Sequence, residues 1–200
     1  MLEDKRIKKT KRYLKQTLMD LLTQKTFDQI TVKEICDKSE ISRVTFYTHY
    51  NDKYDLVEDI AKDMIKIAKD EYYRLQEKNN PTKDYILGYC NLLDCILTMY
   101  YENIKFFSHT NVNENPYLNF AFYKYVLDHV KTHAQKKSTA LKLKYDAKKI
   151  AGFLCYGVWG FINAKGPNET MEDLRKELRE ILEGILRAEI LTKNILPDKK

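Results

Sequence analysis

Glycine and proline, the residues that most often end a helix, are scarce here: the 200 residues hold only six glycines and four prolines. Between these breaks the apolar residues return every third or fourth position, the period of one helix face, and not every second, the period of a strand. The chain is therefore expected to be all-α, with about nine helices along its length. At 44% hydrophobic residues it has enough apolar material for one core or for two smaller ones. The longest apolar run, Gly152 to Ile162, is interrupted by three glycines. It falls short of the ~18 to 20 residues that span a bilayer, so a membrane partner is not expected.

The helices can be placed from their apolar stripes and end signals. Ile7, Leu14, Leu18, Leu21 and Leu22 mark a first helix ending before residues 26–29. Thr31, with Glu34 three positions on, reads as an N-cap and capping box opening a short second helix that reaches Lys38. Ser42 caps a third helix running through Arg43 to His49. Asn51 and Asp52 end that helix and cap a long one from Lys53 to Lys78, with Leu56, Ile60, Met64, Ile67 and Ala68 on one stripe. Asn79, Asn80 and Pro81 stop it and suggest a boundary. The organisation expected is a three-helix module at 1–52, a connecting helix at 53–80 and a helical remainder at 81–200. The remainder reads as a helix from Thr82 to Tyr101, an irregular piece with a turn at Asn111 to Pro116, and a helix from Tyr117 to Lys136. A final pair, Asp146 to Asn163 and Thr170 to Thr192, is joined by a turn at Gly166 to Asn168.

A net charge of +6 permits a polyanionic partner, and its distribution says more than its size. From Lys5 to Lys15 there are seven cations and no acid, directly ahead of the pair of short helices. Two short helices joined by a tight turn have the geometry in which the second lies in the DNA major groove. Thr31 and Ser42 cap helices whose first N–H groups face outward and favour phosphate. Arg43 has the planar donor fork that suits guanine O6 and N7, and the Thr45 and Thr48 hydroxyls suit bases or phosphates. Phe46 and Tyr50 are expected to pack inward.

The segments Ile30-Thr31-Val32-Lys33-Glu34-Ile35, Ile41-Ser42-Arg43-Val44-Thr45-Phe46-Tyr47-Thr48-His49-Tyr50 and Asp52-Lys53-Tyr54-Asp55-Leu56 resemble the TetR family of bacterial transcription regulators. The close resemblance covers roughly residues 7 to 60, and the rest agrees in helix layout alone. It implies a helix-turn-helix that binds double-stranded DNA at a palindromic operator, with Thr31, Lys33, Ser42, Arg43, Val44, Thr45, Tyr47, Thr48, His49 and Lys53 at the interface. Within that set, Tyr47, His49 and Lys53 match positions that touch the DNA backbone, and Lys33 matches a frequent second-helix cation. One departure lies in the turn, which reads Ser39-Glu40-Ile41 where the family usually has Ala-Gly-Val. If that position needs a left-handed backbone, Glu40 costs about 1 to 2 kcal/mol.

The resemblance also makes residues 81–200 an effector-binding and dimerisation domain. In the helix from Asp146, both Ile150, Leu154, Val158, Phe161 and Ala151, Cys155, Trp159, Ile162 are apolar, and one chain is expected to cover only one of these faces. The last helix repeats Met171, Leu174, Leu178, Ile181 and Ile185 like a bundle seam. A homodimer joined through Leu154, Val158, Phe161, Leu174, Leu178, Ile181 and Ile185 follows, and would present two recognition helices to the operator. Tyr85, Tyr89, Phe106, Phe107, Phe120 and Tyr123 are the aromatic residues expected around a small-molecule effector of unread identity. Release of a repressor by that effector is the usual mode in the family.

Other functions are disfavoured. Cys36, Cys90, Cys95 and Cys155 lack CxxC spacing and read as reduced, mostly buried thiols. His129 and His133 stand four apart on one helix, but no third ligand is suitably spaced, so neither a metal nor another cofactor is expected. There is no nucleophile motif or phosphate loop, so the chain is not expected to be an enzyme. The basic N-terminus is followed by no apolar run, so a cytoplasmic protein, on the nucleoid when DNA-bound, is expected. The rival reading is a regulator-fold protein that binds a ligand or partner without reading DNA itself, and Glu40 is the feature favouring it.

Overall fold

The computed structural model describes residues 5–107, 123–124, 126–132, 144–164 and 169–188. The fold is all-α, and no strand occurs among the described residues. In chain order the helices are α1 (Lys5–Leu22), α2 (Val32–Ser39), α3 (Arg43–Tyr47), α4 (Lys53–Asn79), α5 (Tyr85–Glu102) and α6 (Ile104–Phe107). Residues 126–132 (α7), Ala147–Asn163 (α8) and Met171–Arg187 (α9) follow. A single 3-10 turn, Phe27–Gln29, separates α1 from α2. The chain divides into two compact units, residues 1–66 with 102–123 and residues 67–101 with 124–200, so the division falls inside α4.

The first unit is built around the inward stripe of α1. Leu14, Leu18, Leu21 and Leu22 are buried there, and Phe27, Ile30, Ile35, Phe46, Leu56 and Ile60 supply the other buried apolar groups of α2, α3, the 3-10 turn and early α4. Against α1 lies α6, where the expected irregular segment is in fact a short helix with Phe106 and Phe107 buried. The Asn111 to Pro116 turn lies outside the described residues.

In the second unit α5 is the central element, and its composition shows why: it has one acid in its middle, Asp94, and apolar groups on more than one face. Ile86, Cys90, Leu93 and Leu97 pack with Ile162 of α8 and with Leu174, Leu178, Leu182 and Leu186 of α9. On its other side Leu92 and Ile96 pack with Val130 of α7 and Ala147 and Ala151 of α8. Burial raises the Asp94 carboxyl above its ordinary value even though Arg179 and Arg175 of α9 face it. The ends of α8 and α9 are set locally. Asp146 Oδ1 accepts from the Lys148 and Lys149 amides at 3.0 and 3.1 Å, and Thr170 and Asp173 form a reciprocal capping box.

This packing corrects the expectation that one chain covers a single face of α8. Leu154, Val158, Phe161 and Ile162 lie on the α5–α9 core, while Ala151 and Cys155 lie on the α5–α7 core, so both apolar faces pack within the chain, with Leu154, Val158, Phe161 and Cys155 half-buried. Leu174 and Leu178, expected at a dimer interface, are 0% and 3% exposed in the intrachain core and are out of reach of a second copy. What stays outside is a third face: Phe153 and Tyr156 are 72% and 62% exposed beside the exposed Gly157 and Gly160. On α9, Ile181 is exposed and Ile185 half-buried, with the exposed Gly184 between them in sequence.

Candidate nucleic-acid interface

The two short helices are fixed by their own side chains. Thr31 Oγ1 accepts the Glu34 amide at 3.2 Å and caps α2 alone, because the Glu34 carboxylate takes the Lys25 ammonium at 2.6 Å instead of returning to Thr31. The expected capping box is thus half formed. α2 ends at Glu40, which has φ 56° and ψ 28° and gives its N–H to the Cys36 carbonyl. The Ile41 amide reaches the same oxygen at 3.1 Å, so the left-handed residue closes the helix as a glycine usually does. Replacing Glu40 by glycine should therefore raise stability by about 1 kcal/mol, since a Cβ is disfavoured in this conformation. Urea midpoints of the two proteins measure this, and an unchanged or lower midpoint for Glu40→Gly would count against a strained turn.

Ser42 opens α3. Its Oγ accepts the Thr45 amide at 3.0 Å and lies 2.8 Å from Thr45 Oγ1, while the Thr48 hydroxyl donates to the Thr45 carbonyl at 2.6 Å. One side of α3 is the core: Phe46 is 0% exposed and Tyr50, just beyond the helix, is 4% exposed. The opposite side carries Arg43, Val44, Tyr47 and Thr48, all exposed, with Val44 at 77%. The exposed valine beside the arginine offers an apolar group suited to a thymine methyl next to a donor fork suited to guanine. Lys33 and Thr31 on α2 are exposed, and Thr45 and His49 are half-buried.

A network without any local signature in the sequence holds this pair in place. The Tyr50 hydroxyl donates to Asp59 Oδ2 at 2.7 Å, and Lys15 of α1 reaches the same oxygen at 2.9 Å and Asp63 at 2.5 Å. Burial of the Asp59 carboxyl works against its charge, but the hydrogen bonds from Tyr50 and Lys15 and the charges of Lys15 and Lys11 hold it below its ordinary value. Lys15 is therefore engaged directly inside the unit, and Lys11 lies 3.7 Å from Asp59. Lys5, Arg6, Lys8, Lys9 and Arg12 are exposed. Lys53 also turns inward: its ammonium lies 2.7 Å from the Phe27 carbonyl and 2.8 Å from that of Ile30. Burial lowers its pKa, with the charge of Asp28 opposing.

The aromatic residues expected around an effector divide between the units. Tyr85 and Tyr89 are half-buried on the core of the second, Phe106, Phe107 and Tyr123 are buried residues of the first, and Phe120 lies outside the described residues. Tyr72, Gln76, Asn80, Tyr85 and Tyr89 line a hollow with room for about one water. Among the described residues no group of three or more His, Cys, Asp or Glu is placed to hold a metal, and no helix is long and apolar enough to cross a membrane. His133 lies outside the described residues.

Residues 16–60 match the family described as bacterial regulatory proteins, tetR family. Over 51 residues the chain is 39% identical to the uncharacterized HTH-type transcriptional regulator YxbF of Bacillus subtilis. That match takes in 26% of this chain and 13% of that protein. The whole fold is similar to a crystal structure from Syntrophomonas wolfei described as a TetR-family transcriptional regulator, with TM-score 0.68 and 16% identity over 90% of this chain and 96% of that one. A TerR/AcrR-family transcriptional regulator from Aquifex aeolicus gives TM-score 0.60 and 18% identity, covering 88% of this chain and 99% of the other. The TetR transcriptional regulator from Streptococcus agalactiae gives 0.57 and 19%, covering 91% and 98%. At these identities the likeness to solved structures is one of fold.

Proposed function

We propose that the chain is a TetR-type regulator, as the match of residues 16–60 and the fold suggest, and that it regulates transcription by binding a palindromic operator as a homodimer. The family that residues 16–60 match is one of regulatory proteins, so a regulator and not an enzyme is the reading proposed. The observation that carries the DNA reading is the two-sided character of α3: Phe46 and Tyr50 anchor it while Arg43, Val44, Tyr47 and Thr48 stand outward. In this reading Arg43 and Val44 read base edges, Tyr47, Thr48 and His49 meet the backbone, and Thr31, Lys33, Ser42 and Thr45 complete the surface around them. The five exposed cations of α1 add sequence-independent attraction.

Dimerisation is assigned to the outer face of α8, Phe153, Tyr156, Gly157 and Gly160, with Ile181 and Ile185 of α9. The support is chemical: two large aromatic residues exposed beside glycines, whose missing side chains let a second backbone approach closely, form an apolar patch that a monomer does not need. Repression released by a small molecule is the regulatory mode proposed, with Tyr85 and Tyr89 on the wall of the effector site. The hollow beside them has to widen for any ligand larger than water.

A duplex from the region upstream of the gene, set against a scrambled duplex in a salt titration, tests the reading. The wild type should prefer the upstream duplex by about a thousandfold or more, with two chains per site and affinity falling steeply with salt. Phe153→Glu should sediment as a monomer and lose most of this affinity while keeping the fold, since its side chain is exposed. Equal binding of both duplexes would favour the second reading, a partner-binding co-regulator, to which the strained Glu40 turn lends its support.

A further inference from the structure

Lys53 is the first residue of α4, yet its side chain runs back along the chain to the turn ahead of α2. Its ammonium sits 2.7 Å from the Phe27 oxygen, 2.8 Å from the Ile30 oxygen and 3.4 Å from the Asp28 oxygen, and 4.4 Å from the centre of the Phe27 ring. An ammonium has three donors and no acceptor, so converging carbonyls can satisfy it in full. Bonds with an ionised donor are about twice as strong as neutral ones, which makes this a firm attachment for a partly buried lysine. Ile30 immediately precedes Thr31, the cap of α2, and the Phe27 and Tyr54 rings meet edge to face with centroids 5.2 Å apart beside it. The first turn of α4 is thus joined to the residues from which α2 starts. A phosphate contact would require the ammonium to leave these carbonyls.

We propose that Lys53 is a positioning residue, a tether between the start of α4 and the carbonyls ahead of α2, which acts on DNA binding through the placement of α2 and α3 and not by touching a phosphate. This rests on the DNA-binding reading above, and one arm of the test needs no DNA. An arginine keeps the positive charge and grips phosphate well, but its flat, spread fork does not converge on carbonyls arranged for a compact ammonium. Lys53→Arg therefore separates the tether from a backbone contact.

The full-length protein, Lys53→Arg and Lys53→Met are titrated with upstream and scrambled duplexes over a range of salt, at a temperature where all three are folded by circular dichroism. A tether predicts that both variants lose about tenfold or more in affinity for the upstream duplex, lose preference over the scrambled one, and keep the wild-type salt slope. If Lys53→Arg matches the wild type while Lys53→Met weakens both duplexes alike and flattens the slope by about 0.9 for each of the two chains bound, the proposal is wrong and Lys53 is a phosphate contact. In the DNA-free arm, hydrogen exchange is followed at the Ile30 amide, which bonds to the Phe27 carbonyl at 3.1 Å. Both variants should exchange there about tenfold faster, with the amides of α8 and α9 unchanged. Wild-type protection at Ile30 in Lys53→Met would overturn the tether. Should the wild type treat the two duplexes alike, the DNA reading fails by itself, and the exchange arm still decides the tether.

Discussion

Replacing Phe46 by alanine is expected to cost the first unit about 3 to 5 kcal/mol. The ring is 0% exposed and meets Tyr47 and Tyr50 with centroids 5.4 and 5.7 Å away. Few side chains anchor α3, a helix of five residues whose other side faces outward, so little packing remains to close the cavity left by the ring. Loss of α3 would also release Tyr50 from Asp59 and with it the link to Lys15 of α1. Urea unfolding followed by far-ultraviolet ellipticity measures the effect. The single tryptophan, Trp159, lies in the other unit, so its fluorescence serves as an internal reference. A loss below about 1 kcal/mol would mean that α3 is not held by this ring.

Arg43→Ala should leave stability nearly unchanged and remove sequence preference, the opposite pattern. The side chain is exposed, and surface substitutions of this kind usually stay within about 0.5 kcal/mol. Its worth is in the complex, where a bidentate pair with guanine contributes about 1 to 3 kcal/mol of discrimination, or roughly tenfold to more than a hundredfold for each half-site. With two half-sites per dimer the two losses should combine, while binding to scrambled DNA changes little because base readout is absent there. Competition between upstream and scrambled duplexes reads this directly. If Arg43→Ala kept the wild-type ratio, base reading would belong to other residues, with Val44 and Tyr47 the next to be examined. Taken with Phe46→Ala, the pair separates a helix that must exist from a side chain that must read.

Much of the layout was legible because it is written in neighbouring residues. Caps such as Ser42 and Thr170 act on amides three positions away, and the stripe of α1 repeats at three and four, so both are visible along the chain. Glu40 was legible in another way, through the resemblance. Its place where the resembled family usually has glycine raised the question of a left-handed residue, and φ 56° answers it.

The errors came where a residue has several neighbours to choose from. Glu34 offered Thr31 three residues back and Lys25 nine residues back, and a full charge attracts its carboxylate more strongly than an amide does. The apolar faces of α8 were both found, but periodicity reports that a face is apolar and not what will cover it. Covering depended on α5, which presents apolar groups to α9 on one side and to α7 on the other. Leu174 and Leu178 therefore went to the chain's own core, and the outer face passed to Phe153 and Tyr156.

By itself the chain of residues determined α1 to α4, the two caps of the short pair and the place of the arginine at the start of α3, since each depends on bonds or periods within about one or two helical turns. Tertiary structure alone decided where the long cationic side chains end. Lys15 finds acids 44 and 48 residues away, and Lys53 finds carbonyls 23 and 26 residues back, partners that no local pattern announces. A lysine carries its charge on a long flexible stem, so its partner is chosen by whatever the folded neighbourhood brings within reach.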